Sequence, residues 1–116
     1  MDKIIKKPWG KEVFLEVNKK YMFKRLHMKK GHRCSLQYHI KKKETIYVLS
    51  GELKIYIGKN KNNLGSKIYK KGSSVTIEPR TIHRMKAKKN CFYLEASTPY
   101  NSDVIRLSDD YKRIKK

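Results

Sequence analysis

The feature that most constrains this chain is an alternation that keeps being interrupted. Short runs of alternating apolar and polar residues are cut by Gly, Pro and Asn, and before residue 100 no apolar stripe keeps helical spacing for three turns. Alternation with a period of two buries one face of an extended strand and leaves the other to water, so each run needs partners. Strands are expected at 11–17, 21–28, 34–40, 45–49, 53–57, 67–69, 74–77, 83–86 and 91–96. Their even spacing predicts an all-β barrel or jelly roll. Gly31, Gly51, Gly58, Gly65 and Gly72 fall between the runs, where a positive φ is most often needed, and 58–65 reads as a polar hairpin loop.

The tail has a different period. From Ser102, a candidate N-cap, Val104, Leu107, Tyr111 and Ile114 recur at steps of three and four, with Asp103 in the first turn. This predicts a short C-terminal helix over one end of the barrel, with Arg106–Asp110 and Asp109–Arg113 pairs four residues apart.

A chain of 116 residues suits a single domain, 1–116, and excludes a multidomain machine. Its formal charge of +20 points to an anionic partner. The 24 Lys and 6 Arg are scattered from Lys3 to Lys116, however, and a nucleic-acid reader gathers its charge on one face and uses Arg forks. Tyr21, Phe23, Tyr47, Tyr56 and Tyr69 alternate along strands and read as sheet packing rather than base-stacking platforms. No specific nucleic-acid partner is expected, and a small anion fits better. Cys34 and Cys91 form no disulfide framework, and no apolar run nears the roughly 18 residues of a membrane span. The N-terminus is too polar for a secretory signal, so a cytoplasmic protein with no membrane partner is expected.

One strand has a polar face. Alternation sets Arg33, Ser35, Gln37 and His39 on one side of 34–40, against Cys34, Leu36, Tyr38 and Ile40 on the other. Such a face suits a cavity wall. Glu44 can begin the next strand on the inner side of His39, and His83 opens a later strand beyond Pro79. A Gln oxygen, two imidazoles and a carboxylate are plausible ligands for a divalent ion, making Gln37, His39, Glu44 and His83 the candidate metal set. Each alone is more commonly a hydrogen-bonded or ion-paired residue; the joint spacing singles them out. Trp9 reads as an anchor for the first strand, Cys34 as a small buried residue, and His27 and His32 as surface or hairpin residues.

The spacing Gly31, Gln37, His39, Glu44, Gly51 resembles the first cupin motif, with Gln in place of its first His, and Gly72 to His83 resembles the second. Pro8-Trp9-Gly10, Lys24-Arg25, Ser35-Leu36-Gln37 and Asp103-Val104-Ile105-Arg106, with Asp109, Tyr111 and Arg113, resemble the C-terminal cupin domain of type II phosphomannose isomerases. The resemblance implies a double-stranded β-helix holding one divalent ion on Gln37, His39, Glu44 and His83. Zinc is the expected ion, with manganese, cobalt, nickel or iron as alternatives. It also implies a metal-dependent mannose-6-phosphate isomerase, interconverting aldose and ketose phosphates through an enediol. Arg33, Arg84, Arg106 and Arg113 match basic residues of that domain and would take the phosphate. Glu95 is the expected proton-transfer base and Lys24 the second candidate, with Arg106 completing the catalytic set. A homodimer follows by analogy of fold. No nucleotidyltransferase domain is seen, so guanylyltransferase activity is not expected.

Lys41 stands where the family has a further His, Glu78 where it has Pro, and Arg80 and Lys112 where it has Gly. Arg80 is strained if its site needs a positive φ. The rival reading is a cupin that acts on or binds another sugar or sugar nucleotide in polysaccharide biosynthesis.

Overall fold

The computed structural model describes residues 3–100 and 102–113. Eleven strands run in chain order: β1 Lys3–Lys7, β2 Gly10–Val17, β3 Met22–Met28, β4 Leu36–His39, β5 Glu44–Ser50, β6 Glu52–Asn60, β7 Asn63–Lys70, β8 Ser74–Ile77, β9 Ile82–Ala87, β10 Cys91–Ser97 and β11 Val104–Ser108. All pairings are antiparallel. They form a six-stranded sheet, β1-β2-β3-β10-β5-β8, and a five-stranded one, β11-β4-β9-β6-β7.

The core lies between the sheets, and alternation puts it there. On β5, Ile46 and Val48 are buried while Tyr47 is exposed; on β10, Cys91 and Tyr93 are buried while Phe92 is exposed. Leu53 and Ile55 of β6, Met85 and Ala87 of β9, and Leu26 and Met28 of β3 complete it, with Trp9 packed in from the turn between β1 and β2. Each fully buried large side chain stabilises the fold by about 1.5–3 kcal/mol. The same inward rows also carry polar groups: Lys24 on β3, Glu44 on β5, His83 on β9 and Glu95 on β10 are all nearly inaccessible. One end of the sandwich is therefore apolar and the other charged.

Every strand expected from alternation forms, 74–77 with the expected ends and the others with shifted ones. β1 was missed because 3–7 carry three lysines and little alternation. The 58–65 loop is not one: β6 and β7 run on to a tight turn, with Gly58 and Gly65 inside strands. Gly31, Gly51 and Gly72 do take positive φ, and at Gly51 (φ 83°) a Cβ would collide with the Asn90 carbonyl. The strand at 34–40 is shorter, starting at Leu36, and the irregular backbone before it turns Cys34 into the same cavity as Gln37.

The C-terminal helix does not form. Residues 104–108 are instead β11, pairing with β4 through Val104↔His39, Ile105↔Tyr38 and Arg106↔Gln37. β4 would otherwise be an open edge, and its unpaired backbone groups supply the bonds that a short isolated helix lacks. The spacing of Val104 and Leu107 misled because a bulge between Arg106 and Ser108 breaks the strict alternation. Asp109 does meet Arg113, at 2.7 Å, but in a turn, and Asp110 pairs with Arg33 rather than Arg106. Ile114 lies outside the described residues.

Candidate metal centre

Three strands bring the metal set together. Gln37 and His39 stand on β4, Glu44 opens β5, and His83 sits on β9 directly across from Gln37. One ligand atom from each of His39, Glu44 and His83 lies within 4.8 Å of the others, and all three residues are buried. Gln37 completes the ring, its Nε2 3.5 Å from His39 Nε2 and its Oε1 accepting from Ser35 Oγ at 2.6 Å.

Tautomers can be read from the outer contacts. His83 Nδ1 donates to the Thr81 carbonyl at 2.9 Å, leaving Nε2 as a lone pair facing Glu44 Oε1 at 3.4 Å. That Nε2 is fully buried without a hydrogen-bond partner among the described residues. A lone pair opposed to a carboxylate is unfavourable unless a cation lies between them. Two ligands about 2.0–2.1 Å from a tetrahedral ion lie about 3.4 Å apart, so the donors fit a divalent metal. His39 has the same arrangement: its Nδ1 donates to Asp103 Oδ1 at 3.0 Å, freeing Nε2 toward the cluster. Burial lowers the His39 pKa and Lys42 lowers it further, against the pull of Glu44 and Asp103, which favours the neutral ligating imidazole. Burial alone would raise the Glu44 pKa, but the Lys42 ammonium at 3.1 Å outweighs it and the carboxyl is held well below the usual range.

A chain of alternating charges runs inward from Glu44. Lys42 Nζ lies 3.1 Å from Glu44 Oε2 and 2.8 Å from Glu95 Oε2. Lys24 follows, 3.6 Å from Glu95 and 3.4 Å from Glu12. Burial lowers the Lys42 pKa, yet Glu95 and Glu44 raise it more, so the ammonium stays charged. Lys42 was not legible in the sequence because it lies in the run Lys41-Lys42-Lys43, indistinguishable from the lysines on the surface.

The cavity in front of the cluster is open to solvent and has about 750 Å³ of empty space, counting its open mouth. Gln37, His39, Glu44, Lys24 and Glu95 line it, and so do Arg106 of β11 and Arg113. Arg106 Nε is buried without a hydrogen-bond partner among the described residues. Lys7 stands nearby; burial lowers its pKa, Glu12 opposes, and Arg113, Arg106 and Lys24 lower it further, the mark of a positive field. Arg33 and Arg84 are elsewhere. Arg33 is half-exposed against Asp110, and Arg84 Nε and Nη2 donate to the carbonyls of Cys34 and Ser108, fastening the end of β11.

The geometry can now be set beside known proteins. The family described as mannose-6-phosphate isomerase C-terminal matches residues 1–109. The chain belongs to that family. A search of curated proteins found no significant match. Among solved structures, CapF with the inhibitor 3-isopropenyl-tropolone superposes with a TM-score of 0.80 at 15% identity, over 93% of this chain and 35% of CapF. An RmlC-like cupin from Shewanella frigidimarina gives 0.76 at 19% identity, over 89% and 88% of the two chains. Bacillus subtilis oxalate decarboxylase, whose Mn(II) centres have been studied, gives 0.76 at 16%, over 90% of this chain and 30% of the enzyme. The fold is thus that of the cupins, and the chain spans about a third of the length of CapF and of the decarboxylase.

Arg80 and Lys112 both adopt positive φ, 63° and 58°, so the strain expected at Arg80 is present. Among the described residues, no helix is long and apolar enough to cross a membrane.

Proposed function

We propose that this protein is a metal-dependent sugar-phosphate isomerase of the mannose-6-phosphate type. The observation that carries the reading is that one cavity holds a ligand cluster, a buried carboxylate beside it, and two arginines, of which Arg113 is paired with Asp109 and Arg106 keeps an unpaired donor. The lining carries five cations, Lys7, Lys24, Lys42, Arg106 and Arg113, against three carboxylates, Glu12, Glu44 and Glu95. A net positive wall suits an anionic sugar phosphate.

His39, Glu44 and His83 would hold a divalent ion, with Gln37 as a fourth ligand once its amide turns its oxygen from Ser35 Oγ toward the cluster. Zinc suits the nitrogen and oxygen donor set, and manganese, cobalt, nickel or iron are accommodated by the same atoms. When bound, the ion supplies Lewis acidity to adjacent carbonyl and hydroxyl oxygens of an open-chain sugar, lowering the cost of the negative charge that develops there. Arg106 and Arg113 clamp the phosphate, Arg106 through the donor left unpaired. Glu95 removes the proton from C2 and returns it to C1 as the hydroxyl proton passes from O2 to O1, while Lys42 and Lys24 hold its carboxylate toward the cavity. Lys24 is the alternative proton carrier. Arg33 and Arg84 belong to the scaffold rather than the phosphate site. The protein works as a homodimer.

The test is NMR of mannose 6-phosphate in heavy water with metal-stripped protein resupplied separately with zinc, manganese, cobalt or nickel. Fructose 6-phosphate formed with a metal and absent with His83→Ala supports the reading. No turnover and no deuterium exchange in folded, metal-loaded protein overturns it in favour of a cupin acting on or binding another sugar or sugar nucleotide.

A further inference from the structure

We propose that Asp103 is a positioning residue that sets the tautomer of His39, so that the tail strand arms the metal centre. The inference rests on the metal reading above. Asp103 immediately precedes β11, whose pairing with β4 aligns Val104 with His39. Its two oxygens are divided between two tasks. Oδ2 accepts from the backbone N–H groups of Lys41, at 2.6 Å, and Lys42, at 3.1 Å. Oδ1 accepts from His39 Nδ1 at 3.0 Å. The first task fixes the turn that delivers Lys42 and Glu44, and it also fixes how Asp103 faces His39.

A carboxylate has acceptors on both sides, so Asp103 can satisfy two backbone donors and still demand a proton on Nδ1. The proton on Nδ1 leaves the Nε2 lone pair free, on the side that meets Gln37, Glu44 and His83. Asparagine has the same shape but only one acceptor oxygen. With Lys41 and Lys42 N–H claiming that oxygen, the amide NH₂ of an Asp103→Asn variant must face Nδ1. The imidazole then accepts at Nδ1 and moves its proton to Nε2, which blocks ligation. A role confined to bracing the turn predicts no such inversion, because the amide oxygen serves the turn as well as the carboxylate did.

The experiment has two readouts on the full chain. Long-range ¹⁵N–¹H correlation spectra of metal-free, ¹⁵N-labelled protein resolve the tautomers of its four histidines. Competition against a chromogenic chelator gives the zinc affinity. Expected are an Nδ1–H pattern for His39 in the wild type, an Nε2–H pattern in Asp103→Asn with an otherwise native amide spectrum, and zinc affinity reduced about 10- to 100-fold. Asp103→Ala, which offers neither partner, is expected to give mixed tautomers and an intermediate loss. An Nε2–H pattern in the wild type overturns the proposal whether or not the variants fold. So does an Asp103→Asn protein that keeps both the Nδ1–H pattern and its zinc affinity. A wild type with the Nδ1–H pattern that binds none of zinc, manganese, cobalt or nickel refutes the metal reading instead, while supporting the hold of Asp103 on the tautomer.

Discussion

Lys42→Met is the most informative single perturbation of the charged end of the sandwich. Methionine keeps the length of the unbranched stem and removes only the ammonium, which sits 2.8 Å from Glu95 and 3.1 Å from Glu44 at 5% exposure. Removing one partner of a buried pair costs about 3–5 kcal/mol, because the other charge is left in a poor solvent. Here Glu95 keeps a second neighbour in Lys24, so the lower end, about 3 kcal/mol, is expected. An unfolding entropy of about 2.1 cal/mol/K per residue gives roughly 0.24 kcal/mol/K for the whole chain, so the loss is about 12 °C in Tm. The assay is thermal and urea unfolding of metal-free protein in a cycle with Glu95→Gln. Neutralising Glu95 removes the charge that Lys42→Met strands, so the double variant should be about 1–3 kcal/mol more stable than additivity allows. A loss below about 1 kcal/mol for Lys42→Met, or an additive cycle, would refute the claim that these charges are buried and interdependent.

Further consequences concern the scaffold. Arg80→Gly should raise stability by about 1 kcal/mol in urea unfolding, since it relieves the left-handed backbone of a non-glycine residue. Burial pushes the thiols of Cys34 and Cys91 up to about 11, so both should resist a thiol reagent at pH 8 until the protein unfolds. Burial raises the Asp109 pKa, but the side chain and backbone of Arg113 and the backbone of Tyr111 outweigh it and hold it below the ordinary carboxylate value. Its stabilising contribution is therefore present at neutral pH and lost as pH falls through the folded-state pKa. Asp109→Asn should flatten that part of an acid unfolding curve, measured by circular dichroism.

The strands of the core were legible because each needs only its own alternation and bounding turns, and burial alternates along the whole of β3, β5 and β10. The two edge strands were not. β1 is rich in Lys because an edge needs charge more than apolar surface, and β11 owes its extended form to the vacant edge of β4 rather than to anything within 104–108. The clustering of the candidate metal ligands was legible from spacing, since Gln37 and His39 are two apart on one strand and Glu44 starts the next. Which arginines face the cavity was not. Arg33 and Arg84 are as basic as Arg106 and Arg113, and only the path of the tail separates them.

Charge in this chain carries information in inverse proportion to its abundance. With 30 basic residues against 10 acidic ones, a lysine at any position says little, whereas a carboxylate has been placed against the prevailing composition. Glu12, Glu44 and Glu95 line the cavity, Asp103 backs His39, and Asp109 holds Arg113 at the rim. Half of the acidic residues thus serve one end of the sandwich. Glu44 and Glu95, buried, and Glu12, partly buried, neutralise Lys42 and Lys24 in the interior, while Lys7, Arg106 and Arg113 line the same cavity. The acidic side chains therefore turn a uniformly basic chain into one with a direction: basic side chains gather at the mouth, and a cluster of ligand-type groups lies at the floor.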